Sequence, residues 1–289
     1  MDVTLIINPI AGNKAFRSVG EIEDLLKEKA DLTTFVTRKR GDALSYAKEL
    51  SGADLVIVAG GDGTINEVIN GMLTADSTGQ DRIPLGIIPV GTANVLAKET
   101  GIPENIEDSV KLALSGTPRK LSVGKINGRY FMLMAGIGFD GETVFGVNGG
   151  LKKISGKFAY VVSGVKTLIR FNLPLIKIKT SSGEMQGYTA VVSNVRCYGG
   201  HQYVTPEASI TEPVLDICIF KGKTRMGFLR FVIDVLRGKH LHLPEVEYGK
   251  FEEFDITSDR TVHVQIDGDY FGTLPVKIEV VRDAVSLIC

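Results

Sequence analysis

Residues 56–72 read VIVAGGDGTINEVINGM, and the cluster Gly60-Gly61-Asp62-Gly63 stands between an apolar run and a helical pattern. Glycine loses more conformational freedom on folding than any other residue, so three of them at one bend imply that the backbone must come close to another group. The bend lies at the carboxyl end of a strand, the place where parallel sheets bind ligands. A helix follows, with Thr64 as N-cap and Glu67 as its reciprocal partner in a T-x-x-E capping box. Ile65, Val68, Ile69, Met72 and Leu73 form its buried stripe. Helix N-termini offer unpaired N–H donors and partial positive charge, which suits phosphate. Gly60, Gly61 and Gly63 would let phosphate oxygens reach the main chain. Asp62 would repel a polyphosphate unless a cation intervenes, and Mg²⁺ held through carboxylate and water fits. The alternative is a tight turn that Asp62 stabilises locally, and Glu67 is equally open to a purely capping role.

The elements that must position this bend alternate through the first 120 residues. VTLIIN (3–8), LTTFVT (32–37), DLVIVA (54–59) and RIPLGIIPV (82–90) read as strands. Helices are predicted near 18–29, from Asp42 as N-cap through Leu50, after the glycine bend, from about Ala93 to Gly101, and near 106–115. Such alternation means a parallel sheet with helices on both faces. From about residue 120 the texture changes to β runs punctuated by Gly, Asp and Pro, with helical stretches near 156–170 and 225–237. KLSVGKINGRYFMLMAG reads as a hairpin turning at Asn127-Gly128. The fold class is therefore an α/β domain over 1–122 followed by an antiparallel β-rich domain over 123–283.

Composition narrows the chemistry. A net charge of −1 argues against a dedicated nucleic-acid binder, yet residues 151–250 carry 15 Lys/Arg against 7 Asp/Glu. That region could face anionic lipid or phosphate, or could simply be solvated. Cys197, Cys218 and Cys289 lie far apart with no CxxC, which speaks against a disulfide framework or zinc site and fits a reducing cytosol. The opening MDVTLIINP reads as a strand, and no apolar run is long enough to span a membrane. Gly136-Ile137-Gly138-Phe139-Asp140-Gly141 has dinucleotide-loop spacing but no clear helix after it and no acidic residue at the required distance. A Walker A loop is also missing, because Phe158 follows Gly156-Lys157 where Ser or Thr is needed. His240 and His242 read as solvated loop residues, and the helix around Met226–Val232 either packs on the β domain or rests on a membrane.

GGDGTINEVING (60–71) resembles the diacylglycerol kinase catalytic-domain family, which includes bacterial soluble lipid kinases, sphingosine kinase and ceramide kinase. NPIAGNK (8–14), PVGTAN (89–94), AGIGFDGE (135–142), PVLDICIF (213–220), RGKH (237–240) and QIDGD (265–269) match in the same order over nearly the whole chain. The resemblance implies a nucleotide domain like those of phosphofructokinase and NAD kinase, then a β-sandwich, with residues 284–289 returning to the first domain. It implies ATP and Mg²⁺ as cofactors, and transfer of the γ-phosphate to the hydroxyl of a lipid such as diacylglycerol in a cleft between domains.

Carried over by motif, Asn8, Pro9 and Gly12 form the first nucleotide loop, Lys14 reaches phosphate, and Thr37 contacts the nucleotide. Gly60 and Gly61 through Glu67, including Asp62, Gly63, Thr64 and Asn66, cradle phosphates and ribose, and Gly91, Thr92 and Asn94 complete the pocket. The family's D-G-E element falls on Asp267-Gly268-Asp269, with Asp269 as base and Asp267 in support. Asp is one methylene shorter than the usual Glu, so the base must sit nearer or use a water; IDGDY also reads as a plain hairpin turn. Where relatives carry D-G-x-L-D, this chain has Glu212-Pro213-Val214-Leu215-Asp216, making Glu212 a candidate ligand of a second Mg²⁺ and Asp216 a candidate turn residue. The implied protein is cytoplasmic, meets its lipid peripherally at a membrane surface, binds no nucleic acid, and leaves a homodimer open. The competing readings are an NAD kinase-like enzyme, which shares GGDGT, and a nucleotide- or lipid-binding regulator without catalysis.

Overall fold

Four aliphatic runs build a parallel sheet in the computed structural model, which describes residues 1–12, 15–75, 83–150, 164, 167–168, 174–198 and 202–289. They are β1 (Asp2–Ile7), β2 (Asp31–Val36), β3 (Leu55–Gly60) and β4 (Leu85–Pro89), in the spatial order β2-β1-β3-β4. β3 and β4 are buried throughout, as strands covered on both faces must be, whereas the edge strand β2 is partly exposed. The helices are α1 (Ala15–Lys27), α2 (Asp42–Lys48), α3 (Asp62–Ala75), α4 (Val95–Thr100) and α5 (Ile106–Ser115). Ile22, Leu26, Val110 and Ala113 of α1 and α5 close one sheet face over Val3, Leu5, Ile57 and Ile88. α2 and α3 pack together at Gly71, where a Cβ would lie 2.5 Å from the Leu44 carbonyl oxygen. Asp42 is not the N-cap of α2. That place belongs to left-handed Gly41 (φ 90°), which leaves the Asp42 carboxylate to accept the amides of Arg38 and Lys39 at 2.9 and 3.0 Å.

Contacts divide the chain into two units, Met1–Val123 with Arg282–Cys289, and Gly124–Val281. The boundary falls within β5 (Pro118–Ile126), which turns into β6 (Arg129–Phe131). Ile126 faces Arg129 across Asn127 (φ 42°) and Gly128 (φ 90°), the two-residue turn that Asn-Gly prescribes. β7 (Met134–Ile137) then joins a different sheet, and α6 (Phe139–Gly150) follows it directly.

A helix thus does follow the glycine pattern at 136–141, contrary to the sequence reading. Its glycines hide the apolar period, and tertiary contact holds it: a Cβ on Gly141 would lie 2.1 Å from the His263 carbonyl oxygen. The dinucleotide reading still fails, because β7 pairs antiparallel with both of its neighbours.

The remaining strands are β8 (Ile176–Thr180), β9 (Gly183–Gly187), β10 (Thr189–Ser193), β11 (Cys197–Tyr198), β12 (Gln202–Tyr203), β13 (Leu215–Phe220), β14 (Val246–Phe251), β15 (Glu253–Thr257), β16 (His263–Ile266), β17 (Asp269–Thr273) and β18 (Val276–Ile288). One sandwich layer runs β14-β13-β10-β7-β16-β17. The other joins the first part of β18 to β15, β8 and β9, and the strict alternation of burial in β8 and β15 marks their single buried face. Ile137, Val192, Ile217, Phe254, Ile256 and Ile278 belong to the core between them. The end of β18 lies in the first unit, Leu287 running parallel to Leu85 of β4.

α7 (Arg225–Leu236) leads into a short 3-10 turn, His240–His242. His240 is 1% exposed, not solvated, and its Nε2 sits 2.9 Å from the Val204 carbonyl oxygen. Burial pulls its pKa down, against the opposing effect of that bond. The helix predicted near 156–170 falls largely outside the described residues, and so does Lys14.

Candidate functional site

Three loops at the carboxyl ends of β1, β3 and β4 are tied to one another in the first unit. β1 and β3 lie at the switch point of the strand order, where open sheets leave a crevice. Asn8, ending β1, donates through Nδ2 to Thr64 Oγ1 at 3.0 Å, while its Oδ1 accepts the Ile10 amide at 3.1 Å. Gly12 takes φ 72°, and a Cβ there would meet the Val90 carbonyl oxygen at 2.6 Å, so glycine lets the first loop reach the third. A Cβ on Gly91 would stand 2.4 Å from Gly61 Cα, and one on Gly60 would stand 2.7 Å from Thr64 Cβ. Gly12, Gly60, Gly61 and Gly91 are therefore glycine because this chain packs against itself.

Gly63 is the exception in these loops: an added Cβ meets nothing within 4 Å among the described residues. It lies in the first turn of α3, whose leading N–H groups have no intrahelical acceptor. This open, amide-lined turn fits a phosphate.

Asp62 has a partner already. Its two carboxylate oxygens accept the amides of Val95 and Leu96, each at 3.1 Å, and so fix the start of α4. The capping box is not formed. Thr64 Oγ1 accepts from Asn8, and Glu67 Oε1 accepts the amide of left-handed Gly41 at 2.9 Å. Both side chains brace neighbouring loops because α3 starts at Asp62, three residues before the Ile65 start that the box requires. Thr37 is buried and donates its amide to the Ile7 carbonyl at 2.9 Å, while Asn66 is buried and accepts from Asn70 Nδ2. Asn94 is left-handed (φ 50°) and donates to the Gly91 carbonyl at 3.1 Å; its buried Oδ1 has no hydrogen-bond partner among the described residues. Pro9 and Thr92 sit in the same loops.

In the second unit the acidic element forms the turn between β16 and β17. Asp267 (φ 48°) and Gly268 (φ 85°) occupy it, with Ile266 opposite Asp269. Asp267 is a clamp. Its oxygens accept the amides of Met132, Leu133 and Met134 at 2.8, 2.9 and 2.9 Å, which stops the return arm of the first hairpin and redirects the chain into β7. Asp269 is half-buried at the start of β17.

Beneath the turn lies a brace that sequence reasoning missed. The Gly268 amide donates to Gln265 Oε1 at 2.8 Å, and Gln265 Nε2 donates to Asp140 Oδ2 at 2.5 Å. Tyr198 OH donates to the other Asp140 oxygen. Burial drives the Asp140 pKa upward against both of these bonds. The available signal was Gly136, four residues before Asp140, where a Cβ would come 1.8 Å from the Asp140 carboxylate.

Glu212 does not behave as a metal ligand. Its carboxylate lies 3.2 Å from Lys250 Nζ, which also approaches Asp216 at 3.8 Å and donates to the Glu207 carbonyl at 2.8 Å. Tyr248 OH donates to Asp216 as well. Burial raises the Asp216 pKa despite the Tyr248 bond and the nearby ammonium. An ammonium stands against these carboxylates, so this donor set does not fit a divalent cation, and no group of three ligating side chains occurs among the described residues. In the first unit both Asp62 carboxylate oxygens already accept amides, so a Mg²⁺ there would keep most of its water shell, its usual mode of binding.

Residues 2–126 match the family described as the diacylglycerol kinase catalytic domain, and residues 134–289 match the YegS C-terminal NAD kinase beta sandwich-like domain. A diacylglycerol kinase of Bacillus subtilis (strain 168) is 32% identical over 280 residues, covering 94% of this chain and 90% of that one. A diacylglycerol kinase of Staphylococcus aureus (strain Newman) is 30% identical over 280 residues, covering 94% and 87%. A solved structure from Bacillus anthracis str. Sterne, provisionally named a diacylglycerol kinase, superposes with a TM-score of 0.82 at 27% identity, covering 99% of this chain and 96% of that one.

Proposed function

The chain belongs to the diacylglycerol kinase family and is a kinase, and from that premise we propose that it phosphorylates the hydroxyl of diacylglycerol with ATP and Mg²⁺ at a membrane surface. The observation that carries the nucleotide half is Gly63, a glycine that packing within the chain does not require, at the N-terminus of α3. Bound there, ATP supplies the transferable γ-phosphoryl group, and Mg²⁺ offsets its charge. The amides of the α3 first turn hold phosphate oxygens, and the helix N-terminus favours their charge. Asp62 keeps the loop after β4 in place through Val95 and Leu96, and Asn8 with Thr64 keeps the loop after β1 in place. Asn94 offers its unpartnered Oδ1 as an acceptor.

The acceptor hydroxyl must lose a proton as it attacks, and the family's D-G-E pattern puts that role on Asp269, half-buried at the start of β17, while Asp267 accepts three amides. The Asp140–Gln265–Gly268 brace holds that turn in one conformation, so Asp269 starts β17 in a fixed position.

The test is incubation of purified protein with labelled ATP, Mg²⁺ and diacylglycerol in mixed micelles, with NAD as a parallel acceptor. Labelled phosphatidic acid is expected. Asp269→Ala is expected to lower its rate by about 100-fold or more without changing the circular dichroism spectrum. Label in NADP and none in lipid would transfer the assignment to the small-molecule kinase reading. An Asp269→Ala rate equal to that of the parent would remove the base assignment.

A further inference from the structure

Helix α7 turns one face inward. Phe228 is buried and meets Phe139, Phe220 and Phe231 at centroid separations of 4.5, 5.4 and 5.8 Å. Elsewhere the helix presents Met226, Leu229, Ile233 and Leu236, exposed at 73, 36, 38 and 63%. At 3.6 residues per turn these four fall within about 80° of the helix circumference, on the side away from Phe231 and Val235. Single apolar residues on a surface are ordinary, but four in one stripe form a face that a partner covers.

Charge decides the partner. Lys221–Lys239 contains six Lys/Arg and one acidic residue, Asp234, which lies 3.7 Å from Arg230. Lys223, Arg225, Arg230, Arg237 and Lys239 are all exposed. By helical spacing Arg230 and Arg237 border one side of the stripe and Arg225 the other. Two copies of this chain meeting at the stripe would set these cations against each other, which is repulsive. A bilayer with anionic headgroups satisfies both features: the acyl boundary takes the apolar side chains and the headgroups take the cations. The helix is also capped at its start, Thr224 Oγ1 accepting the Gly227 amide at 3.0 Å, so it presents a formed surface.

We propose that the Met226–Leu229–Ile233–Leu236 face of α7, with its flanking arginines, docks this protein on anionic lipid bilayers. The proposal rests on the lipid-kinase reading and names the surface through which that kinase meets its membrane.

Sedimentation of the full chain with vesicles tests it, in the absence of nucleotide, using phosphatidylcholine alone or mixed with phosphatidylglycerol. The protein is expected to pellet with the anionic vesicles and stay with the supernatant of the neutral ones. Met226→Ser with Leu236→Ser is expected to weaken partitioning about tenfold or more, at an unchanged melting temperature because both side chains are exposed. Arg230→Gln with Arg237→Gln is expected to weaken it too and to flatten its salt dependence.

Parent-like binding by both double variants overturns the proposal. So does a native dimer that the Met226/Leu236 variant splits into monomers, since the stripe then belongs to a second copy. Phosphorylation of a short-chain, water-soluble diacylglycerol is followed on the same samples and is expected to be unaffected by these substitutions. Turnover of that soluble lipid by a protein that ignores anionic vesicles rejects the docking surface and leaves the kinase reading standing. Vesicle binding without phosphorylation of any lipid does the reverse.

Discussion

Two aspartates two positions apart do different work. Asp267 holds three amides, and deleting an ionised acceptor leaves those donors to find water or go unpaired. Asp267→Ala is therefore expected to destabilise the second unit by about 3 kcal/mol, measured by urea unfolding. A loss below about 1 kcal/mol would mean that the three amides find other acceptors once the carboxylate is gone. Sequence alone grouped the two as one acidic element, because identical side chains carry no label for their partners. The partner of Asp267 is a run of backbone more than 130 residues earlier, and no local pattern shows it. The same blindness applied to His240, whose burial depends on the Val204 carbonyl, and to Glu212, whose counter-ion Lys250 lies 38 residues away.

Among the elements, the glycine bend separates two reasons for being glycine. Gly91→Ala drives a methyl group into Gly61 and is expected to cost about 1–3 kcal/mol in the first unit, read from its thermal unfolding. Gly63→Ala places its methyl group more than 4 Å from any packing neighbour among the described residues, so the fold is expected to gain a few tenths of a kcal/mol in helix propensity, up to ~1 kcal/mol. If phosphate lies against that turn, ATP affinity nevertheless falls by roughly tenfold or more, read by calorimetry. An unchanged affinity in Gly63→Ala would move the nucleotide elsewhere. The bend, its strand and the helix after it were legible because buried parallel strands are continuously apolar and the glycine cluster is dense. The capping box was not: T-x-x-E is a local signature, and tertiary bonds to Asn8 and Gly41 displaced it. α6 escaped notice for the opposite reason, since FDGETVFGVNGG has too many glycines to show a helical period.

At the scale of the whole molecule, the first unit is assembled from both ends of the described chain. Ala284, Val285, Leu287 and Ile288 are buried in it, with Leu287 beside Leu85. Removing residues 282–289 is expected to expose the β4 edge, so that hydrogen exchange speeds up across β3 and β4 while β10 and β13 keep their protection. Uniform acceleration in both units would show that the chain unfolds as one cooperative body. The sequence announced this return only through its resemblance to a family, since AVSLIC by itself is an apolar run that could belong to either sheet. The sandwich was legible from its turn residues, yet its pairing order, with β7 between β10 and β16, joins strands far apart in sequence and leaves no local trace. The returning strand also has a consequence for synthesis on the ribosome. Residues 124–281 can collapse as an intact insert while translation is still under way, but the first unit must wait with an unpaired β4 until residues 282–289 have emerged. A nascent chain stalled before that point would display an open strand edge, the kind of surface that trigger-type chaperones shield and that aggregation exploits.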